Sequence, residues 1–272
     1  MVLKTKLFGH VYEFKDVKEV LAKANEERSG DTLAGVSAST AEERVAAKAV
    51  LAELKLSDLR NNPVVGYEED EVTRIIQDDV NEKIYNEIKN WSVSELREWI
   101  LSLRTSGEEI KRISRGLTSE MVAGVAKLMT NMDLVAAASK IRITAHCNTT
   151  IGGEGILAVR LQPNHTTDDP DGIMLSTYEG LSYGIGDALI GLNPVDDSVD
   201  SVMRVLERFH EIKTKWEIPT QICVLAHVTT QMEAVKRGAP TDMIFQSIAG
   251  SEKGNEAFGI TGTMIEEARQ LV

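Results

Sequence analysis

Four polar side chains, those of Arg160, Gln162, Asn193 and Ser247, end or follow short apolar segments in the second half of the chain. The segments cover residues 156–164, 188–194, 221–227 and 243–247, and helical patterns separate them. Strands that alternate with helices predict a parallel sheet covered by helices. In such sheets chemistry takes place at the carboxyl ends of the strands. We therefore expect Arg160, Gln162 and Asn193 to converge at one rim of the sheet.

Arg160 and Gln162 are two residues apart, so in a strand both side chains point to the same face. Most residues of a parallel sheet are apolar because both faces are buried. An inward guanidinium and an inward amide would need partners, and a polar ligand could supply them. Alternatively the strand ends at Val159 and both residues lie in a solvated loop. Spacing alone leaves both interpretations open.

The remaining polar residues are less specific. Asn193 precedes Pro194, which is a common turn pattern, and His227 is more often a hydrogen-bonded histidine near a core than a catalytic base. No His, Cys, Asp or Glu residues follow a recognisable spacing of metal ligands, so we predict no metal site. The glycine clusters complete neither a dinucleotide-binding motif nor a P-loop, and no nucleophile motif is present.

Composition limits the classes of partner. The chain has 272 residues, 42% of them hydrophobic, and a formal net charge of −12. This charge argues against nucleic acid or an anionic membrane as the main partner. We predict no signal peptide and no membrane span, and two cysteines without a pairing pattern suit a reducing cytoplasm.

Local patterns predict a helical first half. Residues 3–14 suit a hairpin around Gly9, Asp16 suits a helix N-cap, and Ser39, Ser92 and Ser106 each begin a capping-box pattern. A long helix is expected from Thr118 or Ser119 to about residue 138. Glycines and strand-like runs begin after residue 140, so we predict a mainly helical region at 1–140 and a second domain at 141–272.

Several runs are similar to the large subunit of ethanolamine ammonia-lyase over the whole chain. They include Arg28-Ser-Gly-Asp31, Gln77-Asp-Asp-Val-Asn81, Lys89-Asn-Trp-Ser92, Arg160-Leu-Gln-Pro-Asn164, Tyr178-Glu-Gly-Leu-Ser182, Cys223-Val-Leu-Ala-His-Val-Thr-Thr-Gln231 and Phe245-Gln-Ser-Ile. The resemblance implies an α/β fold: a helical N-terminal region followed by about four β/α units, the first half of a TIM (β/α)8 barrel. A whole barrel needs about 250 residues, so the resemblance also implies a truncated large subunit.

The resemblance further implies a radical lyase that uses adenosylcobalamin, in which a 5′-deoxyadenosyl radical takes hydrogen from ethanolamine and the products are acetaldehyde and ammonia. The cofactor supplies the hard chemistry and the protein supplies orientation. On the matching positions, Arg160 is the catalytic residue, and Arg160, Gln162 and Asn193 bind the substrate. The implied cofactor-binding residues are Pro194, Phe245, Ser247 and Phe258. An acidic side chain close to Phe258 is expected to contact the adenosyl group, whereas this chain has Ala257 directly before Phe258 and Glu256 one place earlier.

The implied partners are the ethanolamine ammonia-lyase small subunit and further copies of the large subunit. The implied location is the cytoplasm, inside a bacterial microcompartment. The alternative is a half-barrel without catalytic activity that serves only as an assembly or folding unit. A fourth strand at 243–247 with an unpaired edge would promote self-association of the chain.

Overall fold

The computed structural model describes residues 3–272, so Met1 and Val2 of the segment inspected for a signal peptide lie outside it. The chain divides into two units, and the division falls between Arg142 and Ile143. The change of pattern predicted near residue 140 lies close to this division. Each unit is described separately below.

The first unit is almost entirely helical. It contains, in chain order, strands β1 (Lys4–Leu7) and β2 (His10–Glu13) and helices α1 (Val17–Lys23), α2 (Ser29–Leu33), α3 (Ala41–Glu53), α4 (Leu56–Asn61), α5 (Glu71–Asp78), α6 (Glu82–Ile88), α7 (Val93–Leu101), α8 (Gly107–Ser114), α9 (Ser119–Lys127) and α10 (Asn131–Lys140), with a 3-10 helix at Tyr67–Glu69.

The predicted hairpin is confirmed. Strands β1 and β2 pair antiparallel, with Leu7 opposite His10, so Phe8 and Gly9 form a two-residue turn. Both turn residues have positive φ, 53° for Phe8 and 80° for Gly9. A type I′ turn requires this backbone conformation, and its twist matches that of the strands.

Helix caps were predicted correctly where the sequence pattern was unambiguous. The side chain of Asp16 caps α1, and Ser92 and Ser106 form capping boxes at α7 and α8. The prediction for Ser39 is wrong by one residue, because Thr40 caps α3 by accepting a hydrogen bond from the Glu43 N–H.

The predicted long helix ending near residue 138 is also wrong. It is two helices, α9 and α10, and the chain breaks before Thr130. The Thr130 side chain accepts from the N–H of Asp133, whose carboxylate accepts from the N–H of Thr130. This reciprocal capping box starts a new helix at a point where the apolar stripe alone predicts continuation.

The second unit combines strands and helices. It contains β3 (Ala145–His146), β4 (Thr150–Ile151), β5 (Arg160–Leu161), α11 (Pro170–Ser182), β6 (Leu189–Leu192), α12 (Val199–Lys215), β7 (Ile222–Val224), α13 (Val228–Lys236), α14 (Glu252–Glu256) and α15 (Gly262–Arg269). The β3–β4 hairpin is antiparallel and was not predicted. Strands β5, β6 and β7 form a parallel sheet in sequence order. This mixture of helix and sheet agrees with the predicted α/β class.

The two faces of the parallel sheet have different environments. Leu161, Ile190, Leu192, Ile222 and Val224 alternate along the strands and are buried in one apolar core with residues of α11 and α12. Because side chains alternate between faces, the residues between them belong to the opposite face. The register pairs Arg160 with Leu189 and Gly191 with Cys223 on that opposite face.

The predicted fourth strand at 243–247 is wrong, because none of these residues is in a strand. The chain meets the outer edge of β7 at Thr241 and Asp242. The Thr241 hydroxyl (3.3 Å) and the Asp242 N–H (3.1 Å) donate to the Ile222 carbonyl, and the Asp242 carboxylate accepts from the Ile222 N–H (2.8 Å). Further along, the buried side chain of Gln231 takes the place of a neighbouring strand. It accepts from the N–H of Phe245 (3.1 Å) and donates to the carbonyl of Phe245 (2.8 Å). The expectation of an unpaired fourth strand therefore loses its basis.

The carboxylate of Asp242 also carries charge interactions. Burial raises the pKa of Asp242. Hydrogen bonds from Lys213, from Asn148 and from the Ile222 N–H, together with the charge of Lys213, lower the pKa by a larger amount, so it lies below the ordinary value. The Lys213 ammonium lies 2.7 Å from this carboxylate, and both side chains are largely buried. The ionised form of Asp242 thus helps to hold the edge of the sheet.

Candidate active site

The candidate site is built on the sheet face that α11 and α12 leave uncovered. Arg160 lies on β5, Gly191 on β6 and Cys223 on β7, and the register places all three on this face. A Cβ on Gly191 would lie 2.9 Å from both the carbonyl oxygen and the Sγ of Cys223. Position 191 therefore has to be glycine if the strands are to keep this spacing.

Arg160 has hydrogen-bond donors without partners. Its guanidinium lies over the ring of Phe245, 4.9 Å from the ring centroid, which is within the range of a cation–π interaction. Its Nε and Nη2 atoms are buried and have no hydrogen-bond partner among residues 3–272. Burying such donors without acceptors is costly, and both N–H groups could donate to an acceptor atom that a ligand brought.

Cys223 lies close enough to Arg160 for the positive charge of the guanidinium to lower the pKa of the thiol. Burial raises the pKa of the Cys223 thiol to about 11, and the charge of Arg160 only partly opposes this effect. The thiol is therefore neutral at physiological pH and is not a nucleophile. Its role on this face is to fill space beside Gly191.

Gln162 and Asn193 follow the carboxyl ends of β5 and β6, as predicted, and both are exposed. They are connected through Asn164, whose N–H donates to the Gln162 carbonyl and whose Oδ1 accepts from the Asn193 N–H at 3.0 Å. The main chain of Arg160 is not at this rim. It is level with Leu189, the first residue of β6, which places it about 13 Å below Asn193 along the strand direction.

Ser247 and Phe258, two of the predicted cofactor-binding residues, line one pocket of about 400 Å³. Gln246 also lines it, and the Oε1 atom of Gln246 is buried without a partner among the described residues. Phe258 is 71% exposed and its ring is free to stack on a ligand. Pro194 and Phe245 do not line this pocket. Phe245 lies under Arg160, and Pro194 lies in the loop after β6.

His227, which was considered above as a base, and Asp197, which no sequence pattern indicates, also line this pocket. The Asp197 carboxylate accepts from the His227 N–H at 3.1 Å. One ring nitrogen of His227 lies 3.1 Å from the carbonyl of Phe258, and the other lies 2.8 Å from the Thr229 hydroxyl and caps α13. Both nitrogens are therefore occupied, which agrees with the prediction of a hydrogen-bonded histidine.

The acidic residue nearest before Phe258 in the chain is Glu256, because Ala257 directly precedes Phe258. Ala257 is the C-cap of α14, and Glu256 is the last residue of this helix; both are exposed. Successive residues in a helix point about 100° apart, so Glu256 does not take the direction of position 257. A contact between the Glu256 carboxylate and a ligand beside Phe258 would therefore be made from a different direction than a contact from position 257.

Comparison with known proteins identifies the family. The family model for the ethanolamine ammonia lyase large subunit (EutB) matches residues 12–272. The ethanolamine ammonia-lyase large subunits of Escherichia coli K12 and Salmonella typhimurium LT2 are each 60% identical over 271 residues, which is 100% of this chain and 60% of the relative. The chain belongs to the ethanolamine ammonia-lyase large-subunit family. It spans 60% of the length of these relatives.

The assignment to the ethanolamine ammonia-lyase family rests on sequence similarity, and neither a metal site nor a membrane-spanning helix contributes to it. Among residues 3–272 no cluster of three or more His, Cys, Asp or Glu side chains could hold a metal ion. No helix in the same range is long and apolar enough to cross a bilayer. The predictions that the chain itself holds no metal and contacts no membrane stay predictions.

The pocket of Ser247 and Phe258 fits a part of adenosylcobalamin. Its volume of about 400 Å³ suits a small-molecule group such as a nucleoside but not a whole corrinoid. An exposed aromatic ring can stack on a base, and the unpaired Oε1 of Gln246 can accept a hydrogen bond from an amino group. The residues present therefore fit the adenosyl portion of the cofactor that the family resemblance implies.

Proposed function

We propose that this chain forms the Arg160 side of the active site of an adenosylcobalamin-dependent ethanolamine ammonia-lyase, which converts ethanolamine to acetaldehyde and ammonia. The observation that carries the proposal is the pair of buried, unpaired Arg160 donors in a chain of this family. A guanidinium donates hydrogen bonds and accepts none, so the ligand atom that it receives is an acceptor. The hydroxyl oxygen of ethanolamine is such an atom.

We also propose that β5–α11, β6–α12 and β7–α13 are consecutive units of a (β/α)8 barrel. Two features support this proposal. Each parallel strand is followed by a helix and pairs with the next strand in sequence order. The apolar strand residues face α11 and α12, whereas Arg160, Gly191 and Cys223 occupy the face that would line a barrel.

The residues of the site have distinct roles in this proposal. Arg160 Nε–H and Nη2–H donate to the substrate oxygen and stabilise negative charge that develops there, since the guanidinium is cationic. Phe245 supports the guanidinium from below. Asn193, which follows the neighbouring strand β6, contacts the same hydroxyl group, and Gln162 contacts the amino group. Pro194, Ser247 and Phe258 adjoin the adenosyl side.

When bound, adenosylcobalamin supplies the radical that abstracts hydrogen from an unactivated carbon. The protein residues hold the substrate and exclude water. The family resemblance supports the remaining parts of the proposal, which are a small subunit as partner, association between copies of the large subunit, and a cytoplasmic location in a bacterial microcompartment.

The experiment that tests this function combines this chain with the part of a related large subunit that it does not match. Acetaldehyde formation is measured after this chain is coexpressed with the unmatched 40% of the Escherichia coli large subunit and with the small subunit, in the presence of adenosylcobalamin. We expect activity from the full mixture and none from this chain with cofactor alone. The family resemblance implies that the acidic partners of the substrate ammonium lie outside the matched region, and an unpaired ammonium in a closed site is costly.

The variant R160M is expected to lower kcat/KM of the mixture by about 10²–10³, the usual effect of losing a charge-stabilising donor. The matched control is R204M, because Arg204 is exposed on α12, away from the site face. Absence of activity in the full mixture, with all chains folded, would favour the alternative of a non-catalytic assembly unit. Equal activities of R160M and R204M would exclude the assigned role of Arg160.

A further inference from the structure

The loop between β6 and α12 carries Asn193 and Pro194, and its main chain is held by side chains of another loop. Pro194 has no N–H. The other three N–H groups of residues 193–196 all donate to two side chains that follow β5. Asn193 donates to Asn164 Oδ1 at 3.0 Å, and Val195 and Asp196 donate to Asp168 Oδ2 at 2.8 and 2.7 Å.

These contacts are specific to the loop. The Asn164 side chain and the Asp168 carboxylate make no other hydrogen bond among the described residues. Exposed loop N–H groups normally bond to water, so these two side chains are not needed to satisfy them. What the side chains add is a fixed position for the main chain on both sides of Pro194.

Asp168 is itself held in an unfavourable state. It is 6% exposed, its φ is 50°, and its Oδ1 is buried without a partner among residues 3–272. Positive φ and an unpaired carboxylate oxygen both cost free energy. The two charge-assisted hydrogen bonds to the loop after β6 are the contacts that offset this cost. Strain of this kind is typical of functional sites.

We propose that Asn164 and Asp168 are positioning residues, which set the place of Asn193 and Pro194 by binding the main chain around them. The inference rests on the proposed function in so far as Asn193 and Pro194 contact substrate and cofactor. The claim about the loop itself is independent of any activity.

The first experiment measures solvent exchange of individual backbone N–H groups by NMR on the ¹⁵N-labelled chain. In N164L we expect exchange at Asn193 to become about tenfold faster while Val195 and Asp196 stay unchanged, because one hydrogen bond is lost. N164D keeps an acceptor oxygen and is expected to restore slow exchange at Asn193.

For Asp168 the informative variant is D168G. Glycine adopts positive φ without strain, so this change removes the carboxylate and leaves the backbone conformation accessible. We expect exchange at Val195 and Asp196 to become at least about tenfold faster, since both lose a charged acceptor, with Asn193 unaffected. The control is D171N, which removes a carboxylate that is exposed at the start of α11 and makes no contact with this loop.

The second experiment repeats the reconstituted assay described above. We expect N164L to lower kcat by about tenfold, N164D to recover most of it and D171N to match the wild type. Exchange rates that N164L and D168G leave unchanged would overturn the proposal, as would equal losses of kcat in N164L and N164D. Absence of activity in every mixture, with the exchange pattern as expected, would instead count against the proposed function and leave the held loop established.

Discussion

The replacement of Gln231 by leucine tests how the segment carrying Phe245 is held. Gln231 is 5% exposed on α13, and its amide bonds three main-chain atoms. Nε2 donates to the carbonyls of Ala226 (2.6 Å) and Phe245 (2.8 Å), and Oε1 accepts from the Phe245 N–H (3.1 Å). Leucine has a similar volume but no polar atom, so Q231L removes all three hydrogen bonds with little change in packing.

The expected cost follows from these contacts. A net contribution of about 1 kcal/mol for each hydrogen bond gives about 3 kcal/mol, with about 2–4 kcal/mol as the range. The carbonyls and the N–H can recover part of this only by reaching water, which requires residues 243–247 to leave their place. The Phe245 ring would then move away from the Arg160 guanidinium, from which it is now 4.9 Å.

Native-state hydrogen exchange of peptides from residues 222–247 measures the change for the second unit without interference from the first. NMR provides a second signal, since the ring current of Phe245 shifts the Arg160 Nε–H resonance and Q231L should abolish this shift. The control is Q270L, whose amide makes one surface hydrogen bond of 3.3 Å to Glu266. A change below about 0.5 kcal/mol in Q231L, with the ring-current shift intact, would refute the reasoning.

Three further predictions concern the same unit. G191A should lose about 1–3 kcal/mol in urea unfolding, because its Cβ would meet main-chain and Sγ atoms at 2.9 Å, whereas G250A, with nothing within 4 Å, should stay near wild type. Asp242 has a lowered pKa in the folded chain, so its contribution to stability is present above about pH 4 and is lost as pH falls through the folded value. D242N should therefore be less stable at pH 7 and show a flatter loss of stability in acid, and a wild-type slope in D242N would contradict this. Iodoacetamide at pH 8 should add one adduct to the native chain, at the exposed Cys147, and a second only after unfolding, because the buried Cys223 with a pKa of about 11 has about one thiol in 10³ ionised. Intact mass would show two adducts on the native chain if this reasoning were wrong.

Features that depend on near neighbours in the chain could be predicted from sequence. The Gly9 turn, the Asp16 cap and the capping boxes at Ser92 and Ser106 involve residues within four positions of each other. The same reasoning failed at Thr130, because the apolar stripe predicts one continuous helix, whereas Thr130 and Asp133 form a capping box that starts a new one.

Features that depend on distant residues could not be predicted. An apolar run such as 243–247 suits a strand, but whether it becomes one depends on the partner that its N–H and carbonyl groups find. Here the partner of Phe245 is the Gln231 side chain. Arg160 could be selected as a candidate because a charged residue in a buried strand is unusual, yet its contact with Phe245 and the loop contacts of Asn164 and Asp168 leave no local pattern.

The way in which residues 241–247 are held bears on the proposed chemistry. A continuous ladder would fix every second residue of this segment, but here side chains hold it, at Thr241 and Asp242 beside Ile222 and at Phe245 beside Gln231. Phe245 is thereby anchored under Arg160, so the guanidinium has a rigid support. Ser247 lies beyond Phe245 and is exposed, and its carbonyl accepts a hydrogen bond from the Gln246 side chain (2.8 Å). The Asn255 amide holds Ala249 in the same way, by accepting from its N–H (2.6 Å) and donating to its carbonyl (3.2 Å). The segment that leads from Phe245, under Arg160, to the pocket proposed for the adenosyl group is therefore held by side-chain amides on both sides of Ser247.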